Sequence, residues 1–561
     1  MPSRTRTITR RAFLSAPTAL ALSGALRSQP ADAFAPAVFD ASKNGDVAKA
    51  AVLSARHCAR DGFFRIPWLP RLFEADLLAD DAVLIRDTAV RVAEILARGS
   101  FDAKNFSQLE LMTAPKNTHG STRIFAVMEP LDAVVYLTLA ILVAPVIEAH
   151  RIPAGDNVVH SFRFLPGDDA LFDRRFNFAS FLAAARGRAA AGTYVVSCDL
   201  ANCYGSLANE HIAAGLGQCG TPAWQTAYIR ELLAFWQHRQ SPGLPVGSNA
   251  SRVLAEAALI QIDNALSEAG VDFVRYVDDF RLFAADEGGA HLALEALGDI
   301  VASCGFSLNP GKTKIARYTS ATADGEIAAS PKPPNAAIRE YRIGKALSGS
   351  GTSAKRYGET LPLNFRRAGA EEIIFHQQIV VAPETTEFLE GEPAPPSKLR
   401  RSIRRAIYGG HGEFLRAIPI LLDRYPEFSA YVASALTRAS AFVARDVRAH
   451  LRMQLATMLL DDKRPDFVTM KLLEILAHPD YRDRNALEQF ARAHAIDPRG
   501  LCFRFALDAL RNTGGVPAGL GEYFEMMDGW GRRALLADPH LRGSIRLPPG
   551  SADPFVAKLK A

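Results

Sequence analysis

The spacing of apolar residues predicts different kinds of structure along the chain. Residues 34–110 have helical spacing, and in 80–99 (DDAVLIRDTAVRVAEILARG) apolar side chains recur every three or four positions. From Thr193 the pattern changes to that of a buried strand, TYVVSCDL, and residues 273–284 (FVRYVDDFRLFA) predict a β-hairpin. A long helix is predicted between them, over 248–269. The middle of the chain is therefore predicted to be α+β.

The end of the chain has only the helical pattern. After residue 398, segments such as PEFSAYVASALTRASAFVARDV predict successive amphipathic helices, so this part is predicted to be all-α. Residues 320–340 are rich in Ala, Ser and Pro and predict a boundary, and 390–398 (EGEPAPPSK) predict a linker or exposed loop. The predicted divisions are 1–33, 34–110, 111–190, 191–325, 326–397 and 398–561.

One apolar run, residues 133–147 (AVVYLTLAILVAPVI), has two interpretations, a transmembrane helix and a buried helix. It is shorter than the roughly 20 residues that a transmembrane helix needs. It contains Pro145, and the polar residues Glu148 and His150 follow it. We therefore expect a buried helix and no membrane partner.

Composition narrows the class of protein without identifying a function. Of 561 residues, 48% are hydrophobic and 22% charged, which excludes a largely disordered chain. The 65 basic and 60 acidic residues leave a formal net charge of +5, so attraction to nucleic acid must come from local patches. The six cysteines form no CxxC pair, which favours free thiols in a reducing cytosol.

The N-terminus indicates a different compartment. Residues 9–15 (TRRAFLS) precede an apolar stretch and the small-residue pattern at 31–33, as in a twin-arginine export signal. An uncleaved basic leader, or an upstream extension from a misassigned start codon, explains the same residues. We expect a cytoplasmic protein, with export through the twin-arginine route as the alternative.

The sequence YVDDF carries the clearest chemical signal. Asp278 and Asp279 are adjacent acids at a predicted hairpin turn, and two like charges cannot share an apolar core without water or cations. A solvated turn is the simplest explanation of the pair alone. Asp199 closes the strand TYVVSCDL and faces this turn if the two strands are neighbours in one sheet. Three carboxylates would then form a cage for divalent metal ions, as phosphoryl transfer requires.

Two further segments accompany these acids. Residues 243–263 contain two glycines around a proline before a helix, which allows close approach of backbone to a nucleotide; a helix N-terminus capped by Ser248 or Asn249 is the alternative. SLNPGKTKI supplies Lys312, which could lie near a leaving pyrophosphate or be a surface lysine. Gly305 and Gly311 have five residues between them where a phosphate-binding P-loop requires four, so a P-loop is rejected.

In this order the four segments CDLANCYGSL, GLPVGSNASRVLAEAAL, RYVDDF and LNPGKT resemble the palm of reverse transcriptases. The resemblance implies right-hand polymerase fingers at 111–190, a palm with an antiparallel sheet and helices at 191–325, and a thumb-like connector at 326–397. It implies two Mg²⁺ ions, or Mn²⁺, bound by Asp199, Asp278 and Asp279, with Leu200 giving a backbone carbonyl.

The resemblance also implies substrate contacts. Tyr204 matches the bulky residue that excludes a ribose 2′-hydroxyl, so deoxynucleoside triphosphates are expected, although a core aromatic is the alternative. Lys116 and Arg123 match fingers residues that contact triphosphate, with ordinary surface cations as the alternative. Gly247 and Val246 belong to the LPVG turn at the nucleotide. Val246 stands where family members commonly have Gln, which puts ordinary templated accuracy in doubt.

The LPVG form and the helical C-terminal region resemble the retron-like and abortive-infection reverse transcriptases of bacteria, which are phage-defence enzymes. This implies a repeat-like helical domain at 398–561. The expected partners are an RNA template or non-coding RNA, the DNA product, and a second polymerase subunit or further copies of the chain. The alternatives are a template-independent or protein-primed nucleotidyl transferase with the same site, a non-catalytic scaffold, and an exported protein of unrelated role.

Overall fold

A computed structural model describes most of the chain after residue 43. The described residues are 44–66, 69–116, 119–167, 170–190, 192–237, 243–318, 385–390, 393–461, 463–496, 500–547 and 553–561. They fall into two compact units, one within Met1–Arg65, Arg71–Leu109 and Pro130–Lys332, the other within Ile66–Pro70, Glu110–Glu129 and Pro333–Ala561. The predicted leader at 1–33 and residues 326–384 of the predicted connector lie outside the described residues, so both stay predictions.

The strands and helices are numbered along the chain. The strands are β1 (Glu110–Pro115), β2 (Thr122–Val127), β3 (Tyr194–Asp199), β4 (Asp272–Tyr276), β5 (Asp279–Ala284) and β6 (Lys314–Arg317). Helices of the first unit are α1 (Asn44–Asp61), α2 (Phe73–Asp80), α3 (Ala82–Leu96), α4 (Pro130–His150), α5 (Phe178–Arg188), α6 (Cys203–Ser206), α7 (Asn209–Gln218), α8 (Ala223–Trp236), α9 (Asn249–Glu268) and α10 (Glu287–Ser303). Helices of the second unit are α11 (Thr386–Leu389), α12 (Pro396–Gly409), α13 (Gly412–Arg416), α14 (Ile418–Arg424), α15 (Ser429–Arg438), α16 (Arg445–Leu460), α17 (Asp466–Ala477), α18 (Arg484–Ala493), α19 (Gly500–Asn512), α20 (Gly529–Leu536), α21 (Pro539–Arg542) and α22 (Pro554–Lys560).

The first unit is organised around a four-stranded antiparallel sheet with the order β4-β5-β3-β6. Apolar side chains of α5, including Phe181, pack with Val195, Val274 and Phe283 of the strands. Helix α10 packs against β3, β5 and β6. The predicted hairpin at 273–284 is present as β4 and β5, and β3 is the strand YVVSCD. The two acid-bearing segments are therefore neighbours in one sheet.

Helix α4 is the apolar run of the sequence. It is long and apolar enough to cross a membrane by length and composition, and 78% of its most apolar window is buried inside the protein. It packs against α1 and α9, and the Tyr136 hydroxyl hydrogen-bonds the hydroxyl of Ser251 on α9 (3.1 Å). Its apolar side chains are thus core material, as the prediction of a buried helix requires.

The second unit combines a short hairpin with helices. Strands β1 and β2 pair antiparallel, and β1 packs on α17. Helix α17 in turn contacts α15, α16 and α19, so successive helices share one core. The predicted fold class, α+β followed by an all-α end, is confirmed. The hairpin groups with the C-terminal helices, and the predicted segment 111–190 is therefore divided between the units.

A half-buried acid links this hairpin to α19. The side chain of Glu110 lies against Gly500, where a Cβ atom would overlap its carboxylate, and it accepts a hydrogen bond from the backbone of Leu501. Burial raises the pKa of Glu110 to about 8, and the charges of Asp528 and Glu129 add to the shift. Glu110 is thus an acid whose ionisation the folded state opposes.

We expect Glu110→Gln to change how stability depends on pH. Because the folded pKa is above that of the unfolded chain, the stabilisation is present at low pH and lost as the pH rises through about 8. Between about pH 6 and pH 9 the free energy of unfolding of the wild type should fall by about 1–3 kcal/mol more than that of the variant. Urea unfolding followed at several pH values measures this. Glu522→Gln, at an exposed acid of the same unit, is the control; equal slopes for all three proteins would contradict the assignment.

Candidate metal centre

The three predicted acids converge at one end of the sheet. Asp199 is the last residue of β3 and the Cα partner of Asp279, the first residue of β5. Asp278 lies in the turn before β5, and its carbonyl accepts the N–H of Leu200 (3.0 Å). One carboxylate oxygen from each of the three acids lies within 4.8 Å of the other two. The strand register thus brings together residues that are 79 positions apart in the chain.

The mutual charge of these acids is only partly balanced by the protein. Burial raises the pKa of Asp278 to about 6, and the neighbouring Asp199 and Asp279 add to the shift. Burial also raises the pKa of Asp279, although the Arg281 guanidinium opposes this. A group of carboxylates with unmet negative charge is the donor set that a hard divalent cation prefers.

Lys312 lies at the same end of the sheet. Its Nζ is 2.8 Å from Oδ2 of Asp199, while its side chain stays 62% exposed. The loop that carries it runs along the end of β3, because the N–H of Asn309 donates to the carbonyl of Asp199 (2.8 Å) and that of Ala201 to the carbonyl of Ser307 (2.8 Å). Lys312 is thus more than an unpaired surface lysine, and its role at a leaving pyrophosphate stays a prediction.

Tyr204 and the LPVG segment meet beside the acids. Tyr204 lies on the short helix α6, and its carbonyl accepts the N–H of Leu244 (2.9 Å). A Cβ atom at Gly243 would overlap that carbonyl, so only glycine permits this approach. The chain segments that carry the first and second sequence motifs are therefore joined backbone to backbone.

Residues 246–248 connect this contact to α9. Gly247 has φ +112°, a conformation that favours glycine, and its carbonyl accepts the N–H of Arg65 (2.8 Å). Ser248 caps α9 by accepting the N–H of Ala250 (3.1 Å). Val246 is half-buried in the same turn. The helix-cap interpretation of this segment therefore holds, and it is compatible with a nucleotide contact at Gly247 and Val246, which stays a prediction.

Comparison with known proteins decides the family of this region. Residues 131–345 match the family model described as reverse transcriptase (RNA-dependent DNA polymerase). The chain carries a reverse transcriptase domain. The match covers less than half of the chain, and it confirms the predicted fingers and palm architecture of this part. Asp199, Asp278, Asp279 and Lys312 all lie inside the matched range.

The similarity of the chain to solved structures and to curated sequences is low. The structure of telomerase from Candida albicans in complex with a fragment of telomeric RNA is similar with 12% sequence identity and a TM-score of 0.28, over 79% of this chain and 67% of that one. That likeness carries no inference about function. No curated protein sequence matches the chain.

Two predicted triphosphate contacts belong to the second unit. Lys116 follows β1 and Arg123 lies on β2, and both side chains are exposed. The N–H of Lys116 donates to the carbonyl of Ser121 (2.8 Å), which closes the hairpin. Both residues belong to the second unit, so their contact with a triphosphate stays a prediction.

Sequence reasoning missed two residues that lie at or next to the candidate metal centre. Asn309 supports Asp199 through its backbone N–H, and its Nδ2 lies 3.4 Å from the Asp199 carboxylate. Arg275 precedes the turn and is fully buried, with ion pairs to Glu256 and Asp263. A signal for Arg275 exists in the sequence: an arginine inside an apolar strand requires buried acids, and Glu256 and Asp263 are seven residues apart, on one face of a helix.

We expect Asp278→Asn to stabilise the metal-free protein near neutral pH. The folded pKa of Asp278 is above that of the unfolded chain, so ionisation above about pH 6 costs stability, which the amide avoids. The gain should be about 1–2 kcal/mol at about pH 7.5 and smaller at about pH 5. Thermal unfolding in a chelator measures it.

The second half of that test is thermal unfolding of the same proteins with divalent metal added. Adding Mg²⁺ or Mn²⁺ should raise the melting temperature of the wild type and not that of Asp278→Asn, since binding to the native state stabilises it. Asp299→Asn, at an exposed acid of α10, is the control for loss of one charge. Metal stabilisation that is equal in all three proteins would count against a metal centre here.

Proposed function

We propose that the protein is an RNA-directed DNA polymerase that transfers deoxynucleotides with two Mg²⁺ ions held by Asp199, Asp278 and Asp279. The convergence of the three carboxylates is the observation that carries the proposal. Bound divalent ions would activate the primer hydroxyl and stabilise the leaving pyrophosphate. The proposal deepens the family assignment by naming the metal and the residues.

The residues present fit divalent ions of this kind. The carboxylates are hard oxygen donors, and no Cys or His joins them in the described residues. Lys312 offers a cation 2.8 Å from Asp199, placed to meet negative charge that develops on the phosphates. Mn²⁺ has similar preferences and can replace Mg²⁺ in such a site.

Tyr204 supports the choice of deoxynucleotides. Its helix α6 begins four residues after Asp199, and its backbone is fixed by the contact with Leu244. A large side chain held in one place beside the acids can exclude a ribose 2′-hydroxyl by contact. Deoxynucleoside triphosphates are accordingly the proposed substrates.

We expect the double substitution Asp278→Ala and Asp279→Ala to abolish deoxynucleotide incorporation by the purified protein. Loss of two metal ligands removes the charge stabilisation of the transition state, so the rate should fall by a factor on the order of a thousand or more. Incorporation of labelled deoxynucleotides with a primed RNA template measures this. Asp299→Asn should stay active, and a double variant that polymerises like the wild type would show that the site lies elsewhere.

The resemblance to phage-defence reverse transcriptases supports a further part of the proposal, a role in bacterial antiphage defence in the cytoplasm. The same double variant tests it: phage plating on cells with the wild type should be reduced, and the variant should not protect. Assembly with a second polymerase subunit, with a non-coding RNA or with further copies of this chain is proposed on the same ground.

A template-independent or protein-primed transferase is the second candidate, and Val246 favours it, because an apolar side chain stands in the turn where a hydrogen-bonding glutamine is common. Sequencing the nucleic acid that copurifies with the protein should separate the two. We expect DNA complementary to a bound RNA; a homopolymer, a simple repeat or DNA linked to protein would support the second candidate instead.

A further inference from the structure

The turn between β4 and β5 contains a strained residue. Val277 has φ +58°, in the left-handed region that β-branched residues rarely adopt. Its side chain is buried, at 6% exposure, so the residue has no open space in which to relax. Such conformations persist only where the surrounding structure holds them, and they concentrate at functional sites. A group that holds Val277 in this conformation therefore also affects the position of Asp278, the next residue.

Arg275 is that group. Its Nη1 donates to the carbonyl of Val277 (3.0 Å). Its remaining nitrogens bind acids of α9: Nε and Nη2 donate to Asp263 (2.6 and 2.5 Å), and Nη2 also donates to Glu256 (2.9 Å). The side chain is 0% exposed. A planar guanidinium can serve three acceptors in fixed directions at once, which a lysine ammonium on a flexible stem cannot do in the same geometry.

The partners of Arg275 are themselves held in place. Glu256 also binds Arg151 (3.0 Å) and accepts the hydroxyl of Ser161 (2.6 Å). The main chain of Arg275 is fixed as well, because its N–H donates to the carbonyl of Val158 and its carbonyl accepts the N–H of His160 (both 2.9 Å). These contacts fix the guanidinium in place. They therefore also fix the position of the Val277 carbonyl, which binds its remaining nitrogen, Nη1.

That nitrogen binds the peptide that leads into Asp278. In a trans peptide the carbonyl and the N–H point in opposite directions. Arg275 holds the Val277 carbonyl on one side of this peptide, and on the other side the Asp278 N–H bonds the Asp278 carboxylate. Rotation of the peptide would release both contacts and re-aim the carboxylate.

We propose that Arg275 is a positioning residue for the metal centre: it holds Val277 in its left-handed conformation and thereby aims the carboxylate of Asp278 at Asp199 and Asp279. The proposal rests on the proposed function only in treating the three acids as metal ligands. Glu256 and Asp263 on α9 orient the guanidinium, so the helix that follows the LPVG turn also sets the geometry of the acids.

The contrasting possibility is that the network serves only stability, as buried ion pairs elsewhere in the protein do. Arg163 offers a matched control. It is similarly buried, at 3% exposure, and pairs with Glu148 (2.8 Å), which joins the same network through Arg151, but it donates to no residue of the 272–284 hairpin. Both Arg275→Lys and Arg163→Lys keep the charge and lose the guanidinium geometry.

The experiment measures Mn²⁺ binding by electron paramagnetic resonance on full-length protein without nucleic acid, with thermal unfolding as the check on folding. Arg275→Lys should bind Mn²⁺ about tenfold more weakly than wild type, the lower end of the effect for residues that orient metal ligands. Arg163→Lys should lower the melting temperature without changing Mn²⁺ affinity. The turnover number of polymerisation should fall with Mn²⁺ affinity, and the KM for deoxynucleotide should stay near that of wild type.

A second substitution separates positioning from stability. Glycine adopts positive φ without strain, so Val277→Gly removes the need to hold the turn. The double variant Arg275→Lys with Val277→Gly should recover Mn²⁺ affinity to within about threefold of wild type, a non-additive result that a purely structural network does not produce.

Two results would overturn the proposal: Mn²⁺ affinity of Arg275→Lys equal to wild type, or an equal loss in Arg163→Lys. Failure of the proposed function is distinguishable from both. A wild type that binds Mn²⁺ but never polymerises would sink the polymerase assignment, while the comparison of Mn²⁺ affinities would still decide the role of Arg275.

Discussion

Three carboxylates with oxygens within 4.8 Å of one another impose a constraint on the rest of the reverse transcriptase domain. Their repulsion and their burial oppose the fold, as the raised pKa of Asp278 shows. The arrangement persists because the strand register pairs Asp199 with Asp279, and because a buried guanidinium holds the turn before Asp278. The three acids therefore lower the stability of the metal-free protein, and together they form a group of oxygen donors that divalent cations can bind.

Helix α9 connects the parts of this site. Its N-terminus follows the LPVG turn, which contacts the backbone of Tyr204, and its interior supplies Glu256 and Asp263 to Arg275. A change at either end of the helix can therefore reach the acids through rigid contacts. The loop of Lys312 reaches the same acids from β3, through Asn309.

Much of the fold and of the candidate site could be predicted from sequence, because the sequence patterns that indicate them are local. Alternating strands placed Asp199 and the YVDDF acids, and helical periodicity gave the all-α end. The ion pairs of Arg275 could not be predicted with the same security, because they join a strand to a helix whose packing depends on the whole unit. The grouping of the 110–129 hairpin, with Lys116 and Arg123, among the C-terminal helices has no signal in the local pattern.

We propose that Asp199, Asp278 and Asp279 form a two-metal centre that Arg275 holds in shape. The most direct measurement is the anomalous scattering of Mn²⁺ in crystals of the full-length protein with a primed template and deoxynucleotide. We expect two Mn²⁺ peaks between the three carboxylates, about 3.5–4 Å apart, with Arg275 still bonded to the Val277 carbonyl. Mn²⁺ peaks away from these carboxylates, or a turn released from Arg275 when metal is bound, would contradict it.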